Sequence, residues 1–163
     1  MWFNNLQLFR LTKPFNISNE DLEQKLAEHA FKPCGSLQPS SAGWVSPLGR
    51  DGQTLTHSSN GNIMVCLRKE EKILPSSVVK DAVNEKAAII ELEQGRPVRR
   101  KERQEMHDEV VFELLPKAFS RSGHSYAYIA PKEKLIVVNA ASAKRAEELI
   151  SELRKALGSL PAV

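Results

Sequence analysis

The chain has 163 residues, enough for one domain with a substantial core but too few to assume two independent ones. Hydrophobic residues make up 41% and charged residues 26% of the chain, values that are typical of a globular protein and argue against a disordered or fibrous one. The net charge of +3, from 23 basic and 20 acidic residues, is too small by itself to identify a nucleic-acid binder. The longest apolar stretches, such as Ile63 to Leu67, fall far short of a membrane span, so we expect a cytoplasmic protein without membrane contact.

The first part of the chain predicts a strand, a short helix and a long region of turns. Phe3 to Leu11 has apolar residues at both alternating positions, as expected for a strand buried within a sheet. Ser18 offers an N-cap to an amphipathic helix. One face of this helix carries Leu22, Leu26 and Ala30. Pro, Gly and Ser are frequent from Lys32 to Asn60 and predict turns with one or two short strands.

The central part predicts a strand followed by a helical hairpin. Ile63 to Leu67 indicates a strand that leaves the core for solvent at the charged run beginning with Arg68. Pro75 suits the first turn of a helix, and Gly95 and Pro97 end that helix because proline cannot continue its hydrogen-bond ladder. A second helix is predicted up to Pro116, with the apolar stripe Met106, Val110 and Leu114.

The last part predicts a strand pair and the clearest helix of the chain. Tyr126 to Ile129 and Leu135 to Val138 are the strands, and Ser142 and Gly158 suit the N-cap and C-cap of the helix. The element order β, α, β, αα, ββ, α predicts an α+β fold, with a mixed or antiparallel sheet packed with helices. We predict that residues 1–73 and 117–163 form the α+β body and that residues 74–116 form a projecting helical hairpin inserted in it.

Motifs for catalysis, metal binding or cofactor binding are missing from the sequence. No CxxC, HExxH, GxGxxG or GxxxxGK[ST] pattern occurs, and the four histidines are scattered. The contexts of Cys34 and Cys66 do not indicate a disulfide, and Cys66 is expected to pack in the core. We therefore expect no metal, no cofactor and no enzymatic activity, although a small enzyme that uses Cys34 or a histidine remains an alternative.

A basic run lies between the two helices of the predicted hairpin. Residues 96–103 hold five basic residues and one acidic residue: Arg96, Arg99, Arg100, Lys101 and Arg103 against Glu102. The run is either a solvated loop whose arginines pair with nearby glutamates or a site that binds phosphates. Positive charge at the start of a helix opposes the helix dipole, at a cost of a few tenths of a kcal/mol per residue, which favours the functional interpretation. Phosphates there would meet guanidinium groups and free amide N–H groups together.

Three further residues after the second helix are candidates. Lys117 and Arg121 are candidates to extend the basic surface. Phe119, between them, is interpreted first as a core anchor or a plug of the hairpin, and otherwise as an anchor at an interface with a partner. A protein interaction module therefore stands beside phosphate binding as a second hypothesis.

Segments from nearly the whole chain together resemble the bacterial recombination-associated RdgC family. They are WFNNLQLFRL, FKPCGS, GWVSPLG, LTHSSNGNIMVCLRKEEKILPSSVVK, LLPKAFSRS and ASAKRAEELISELRKALGSLP. The resemblance implies a nucleoid-associated protein that binds double-stranded DNA without strong sequence choice. It further implies a ring-like homodimer around the duplex, indirect antagonism of the RecA recombinase, and no enzymatic activity. Family chains continue well beyond LGSLP, so this sequence resembles an N-terminal portion.

Overall fold

The computed structural model describes residues 3–163, and the observed elements are those of an α+β fold. Within these residues the chain forms six strands and four α-helices. The strands are Leu6–Arg10 (β1), Ser40–Val45 (β2), Thr56–Ser59 (β3), Asn62–Lys72 (β4), Ser120–Ala130 (β5) and Leu135–Asn139 (β6). The helices are Asn19–Glu28 (α1), Ser76–Gln94 (α2), Arg100–Leu114 (α3) and Ala143–Leu157 (α4). The predicted fold class is confirmed.

The strands form one antiparallel sheet in the order β1-β6-β5-β4-β2, with β3 paired to β4. The chain divides into two compact units. We call residues 3–32, 42–69 and 122–163 the sheet unit, and residues 33–41 with 70–121 the hairpin unit. The predicted domain boundaries, after residue 73 and before residue 117, stay a prediction.

The core of the sheet unit is formed by α1, α4 and the inward side chains of the strands. The predicted caps are observed: the Ser18 hydroxyl accepts the Asp21 N–H at 3.1 Å, and the Ser142 hydroxyl accepts the Arg145 N–H at 3.3 Å. Each cap satisfies an amide that the first helical turn leaves without a partner. One face of α4 is buried, with Ala146, Leu149, Ile150, Leu153, Ala156 and Leu157 in the core.

Strand β1 lies at an edge of the sheet, so its prediction as a buried strand was wrong. Within residues 3–163, β6 is the one strand that pairs with it, although Arg10 also exchanges two backbone hydrogen bonds with Val163. The side chains of Leu6 and Leu8 are 52% and 61% exposed. A strand with apolar residues at both alternating positions is buried on both faces only where other elements pack on both faces of the sheet. Here Phe9 and Leu11 reach the core and the other face stays open.

Strand β4 continues beyond the point where the sequence predicts that it enters solvent. It extends through the charged residues to Lys72, and Glu70 is 9% exposed. The Glu70 carboxylate accepts the Cys34 backbone N–H at 3.1 Å, which compensates part of the cost of burying it. The charged residues after Leu67 therefore do not end β4, because Glu70 has the Cys34 N–H as a hydrogen-bond donor.

The hairpin unit contains the predicted helical hairpin, which is confirmed. Helix α2 ends at Gly95, which has φ 62° and donates its N–H to the Glu91 carbonyl at 2.9 Å. Glycine suits this left-handed position because it has no Cβ to clash there. The two helices pack along a seam of buried side chains, Val79, Val83 and Ala87 from α2 and Met106 and Val110 from α3. No helix within residues 3–163 combines the length and apolar character that crossing a bilayer requires.

Both cysteines are free thiols, and Cys66 is buried. Burial raises the pKa of the Cys66 thiol from 9.0 to about 11, because the thiolate is poorly solvated there, and a hydrogen bond with Tyr126 lowers it by less. Since the thiolate is the nucleophile, this thiol is held in its unreactive form near neutral pH.

We expect Gly43→Ala to destabilise the sheet unit by about 1–3 kcal/mol, because the new methyl group overpacks a tight contact. A Cβ at Gly43 would lie 2.3 Å from the Phe31 Cα, where the two backbones pair through Phe31 N–H and the Trp44 carbonyl at 3.0 Å. Gly123→Ala is the matched control, since a Cβ there meets nothing within 4 Å. Urea unfolding measures both variants, and equal stabilities would contradict the tight packing at Gly43.

We expect native Cys66 to react with iodoacetamide about 100-fold more slowly at pH 8 than in the urea-unfolded chain, since two pKa units separate a pKa of about 11 from 9.0. The native rate should keep rising up to about pH 11, whereas the rate of a thiol with a pKa of 9.0 levels off above about pH 10. Mass spectrometry of each alkylated cysteine measures the rates, with the partly exposed Cys34 as internal reference. A native Cys66 that reacts as fast as Cys34 at pH 8 would contradict this environment.

Candidate nucleic-acid interface

The basic run begins in the linker between α2 and α3 and continues into the first turn of α3. Arg99 is the N-cap residue of α3 and Arg100 is its first residue, so the predicted placement of cations at this helix start is observed. No side chain caps the helix there, but the Glu102 carboxylate accepts the Arg99 backbone N–H. The linker is held to α2 because the Val98 N–H donates to the Glu91 carboxylate at 3.1 Å. The run is therefore fixed by backbone contacts.

Arg96 is paired, as the solvated-loop interpretation expects. Its guanidinium donates to both carboxylate oxygens of Glu102, at 2.8 and 3.1 Å, and to the Gln94 side-chain oxygen at 2.9 Å. The hydrogen bond with Glu102, and then its charge, raise the pKa of Arg96, while the same hydrogen bond lowers the pKa of Glu102. Arg96 is thus largely neutralised by a partner inside the chain.

The remaining cations of the run have no such pair. Arg99, Arg100 and Lys101 are exposed, and neither Arg100 nor Lys101 makes an ion pair with any residue from 3 to 163. Arg103 donates to the neutral Asn84 side-chain oxygen at 3.1 Å, which orients the guanidinium without cancelling its charge. The run therefore presents uncompensated positive charge at the start of α3.

Lys117 and Arg121 lie apart from the run. Lys117 belongs to a single 3-10 turn, Leu115–Lys117, at the far end of α3. The 15 residues of α3 span about 22 Å at 1.5 Å per residue, and this length separates Lys117 from Arg100. The Arg121 guanidinium is 3.7 Å from the Glu71 carboxylate. The structure does not bring these two residues to the surface of the run.

Phe119 is 85% exposed, so its first interpretation as a core anchor or hairpin plug was wrong. Only its backbone is tied down, because the Phe119 carbonyl accepts the Ile73 N–H at 2.6 Å. Ile73 is also exposed, at 45%, so two apolar side chains stand at neighbouring backbone positions facing solvent. The prolines and basic residues around Phe119 do not reveal this, since exposure depends on how the strand leaves the hairpin.

A groove along the hairpin adds residues that the sequence did not single out. This open groove of about 250 Å³, which we call the hairpin groove, is lined by Lys80 and Val83 of α2 and by Arg100, Arg103, Gln104 and His107 of α3. The spacing of Arg100, Arg103 and His107 on one face of α3 is visible in the sequence. Lys80 and Asn84 come from the other helix, and only the packing of the hairpin places them beside that face. Residues 3–163 contain no cluster of three His, Cys, Asp or Glu side chains arranged to hold a metal ion.

Comparison with known proteins shows the family of the chain. A family model described as "Putative exonuclease, RdgC" matches residues 1–163. Curated relatives named Recombination-associated protein RdgC occur in Aeromonas hydrophila subsp. hydrophila, 51% identical over 163 residues, and in Colwellia psychrerythraea, 50% identical over 161 residues. These alignments cover 100% and 99% of this chain but 54% and 52% of the relatives, so the chain spans about half their length. The chain therefore belongs to the RdgC family of recombination-associated proteins.

Proposed function

We propose that this chain binds double-stranded DNA without sequence preference, through the phosphates, and takes no catalytic part in recombination. As part of a ring-like homodimer around DNA in the nucleoid, it would restrain RecA-dependent recombination. The observation that carries the proposal is the exposed positive charge of Arg99, Arg100 and Lys101 at the start of α3, where Arg100 and Lys101 make no ion pair within residues 3–163. The family resemblance supports the duplex, the ring and the link to RecA.

Phosphate recognition follows from the chemistry of this helix start. Guanidinium groups bind phosphate oxygens through paired hydrogen bonds. The free N–H groups of the first turn of α3 point out of the helix start, and the helix dipole attracts an anion to the same place. No side chain caps α3, so these amides are not covered by a hydroxyl or carboxamide of the preceding residue. None of these contacts reads a base edge, which accords with binding that does not depend on sequence.

A second candidate function, a protein assembly module, is favoured by Phe119 and Ile73. Exposed aromatic side chains are frequent anchors of protein interfaces, because one buried ring contributes a large apolar area. Phe119 and Ile73, an aromatic and an aliphatic side chain that are both exposed in the hairpin unit, suit contact with a second copy of the chain. This function is compatible with DNA binding, since Phe119 is separated along the chain from the run by all of α3.

We expect the triple variant Arg99→Ala, Arg100→Ala and Lys101→Ala to flatten the log-log salt dependence of duplex binding by about 2.7 units, from about 0.9 per phosphate contact. The loss should be the same for unrelated duplex sequences. Fluorescence anisotropy at several salt concentrations measures the slopes. An unchanged slope would remove the run from the binding mechanism.

The control for this variant removes the same charge elsewhere. Lys13, Arg50 and Lys132 are exposed and lie in the sheet unit, and their replacement by Ala should alter the slope much less. Glu102→Gln acts in the opposite direction, because it releases Arg96 while glutamine can still accept the Arg99 N–H. It should steepen the slope by about 0.9 units if Arg96 then reaches a phosphate.

For the assembly function, we expect Phe119→Ala to weaken self-association at least tenfold in sedimentation experiments, without lowering stability by more than about 0.5 kcal/mol, since the side chain is exposed. Leu92→Ala is the matched control, because Leu92 is 87% exposed on α2 of the same unit. A wild-type chain that remains monomeric at all concentrations, or equal effects of both variants, would count against Phe119 as an assembly anchor of this chain.

A further inference from the structure

The hairpin groove has an unusual charge balance for a surface of this chain. Of its lining side chains, Lys80, Arg100 and Arg103 are cations and none is a carboxylate, although the Asp108 carboxylate is 3.6 Å from Nδ1 of the lining residue His107. All four are exposed. A groove on a chain with 23 basic and 20 acidic residues would ordinarily mix both signs. The groove is thus a concentration of positive charge that the overall composition conceals.

The guanidinium of Arg103 is held in the groove by a neutral partner. The Arg103 guanidinium donates a hydrogen bond to the Asn84 side-chain oxygen at 3.1 Å. This hydrogen bond connects α3 to α2 and limits the rotamers of the Arg103 side chain. An aspartate at this position would hold the arginine equally well but would cancel its charge. The amide orients Arg103 and leaves its other N–H groups for an external acceptor, since guanidinium carries five.

Besides Asp108, whose carboxylate is 3.6 Å from His107 Nδ1, and Glu91 of α2, the hairpin carries glutamates on its opposite flank. There the Lys86 ammonium is 3.2 Å from Glu113 and 4.0 Å from Glu109, and Glu102 of α3 binds Arg96. Glu102, Glu109 and Glu113 are seven and four residues apart and so share one face of α3, whereas Arg100, Arg103 and His107 share another. The hairpin therefore has a basic flank and an acidic flank, and a polyanion is attracted to one and repelled by the other.

We infer that the hairpin groove binds consecutive phosphodiesters of one nucleic-acid strand, with Lys80, Arg100, Arg103 and His107 as the phosphate-binding side chains. Arg100 to His107 extends about 10 Å along α3, at 1.5 Å per residue, which is long enough to contact more than one phosphate of a strand. The groove is open along its length, which suits a polymer that continues past both ends. This inference rests on the proposed DNA binding and extends it from the helix start to Lys80, Asn84 and His107.

The test compares Lys80→Ala with Lys86→Ala, which removes the same charge from the opposite flank of the same helix. Lys80→Ala should flatten the salt dependence of duplex binding by about 0.9 units, and Lys80→Ala with Arg103→Ala by about 1.8. Lys86→Ala should leave the slope unchanged. Asn84→Asp should weaken binding as Arg103→Ala does, because its carboxylate would cancel the charge of Arg103. Circular dichroism and thermal melts verify that each variant is folded.

Two outcomes separate this inference from the proposed function. If the wild-type chain binds duplex DNA and depends on Arg99, Arg100 and Lys101, but Lys80→Ala and Arg103→Ala behave as Lys86→Ala does, the groove is overturned and the function stands. If the chain binds no duplex at low salt, the function fails for this chain, and NMR titration with inorganic tripolyphosphate then decides about the groove. Shifts of the His107 ring and Arg103 guanidinium signals, lost in Lys80→Ala, would support it, and their absence would overturn it.

Discussion

The packing seam between α2 and α3 determines where every charge of the hairpin lies. Five buried side chains, Val79, Val83 and Ala87 against Met106 and Val110, fix the rotation of each helix about its axis. Helices of 19 and 15 residues are marginal alone in water, so their stability depends on burying this seam. Once the seam is buried, the 3.6-residue period assigns each remaining position to the basic flank, the acidic flank or the outer surface.

The linker between the helices also determines where the basic run lies. Gly95 reverses the chain in a left-handed conformation, and the Val98 N–H is bound by Glu91, so the linker has little freedom to reorient the basic run. Arg96 closes the linker onto α3 through Glu102. That pair stabilises the turn and at the same time takes one cation out of the run. The sequence therefore counts one cation too many in the basic surface, because Arg96 stabilises the turn through Glu102 and its charge is paired there.

Much of the fold follows from the sequence because its local signals agree with its tertiary structure. Ser18, Ser142, Gly95 and Gly158 cap helices where their types predict, and the stripe of α4 is buried as its period requires. The failures share one cause. Leu6 and Leu8 are exposed at a sheet edge, and Glu70 is buried beside a backbone donor from residue 34. Each outcome depends on a partner distant in sequence, which local patterns do not describe.

The candidate site divides in the same way. The basic run and its place at a helix start could be predicted, because both are properties of consecutive residues. Arg96 pairs with Glu102, six residues later, and the sequence allowed several other pairs for it. The exposure of Phe119 depends on the path of the chain after α3. Lys80 and Asn84 precede the run by 16 and 12 positions and join it only through the register of the seam. A binding surface that spans two helices is visible only once their packing is known.

The charge segregation of the hairpin also explains why a net charge of +3 says so little about this chain. Cations on one flank of a hairpin and carboxylates on the other nearly cancel in the net charge. They do not cancel in the electrostatic potential close to either flank. At a Debye length of about 8 Å in physiological salt, a polyanion at one flank is screened from charges on the far side of a helix about 10 Å wide. The acidic flank then adds little repulsion to a ligand that is already bound. Before contact it disfavours approach from the acidic side, so the charge pattern determines which flank of the hairpin would face a polyanion.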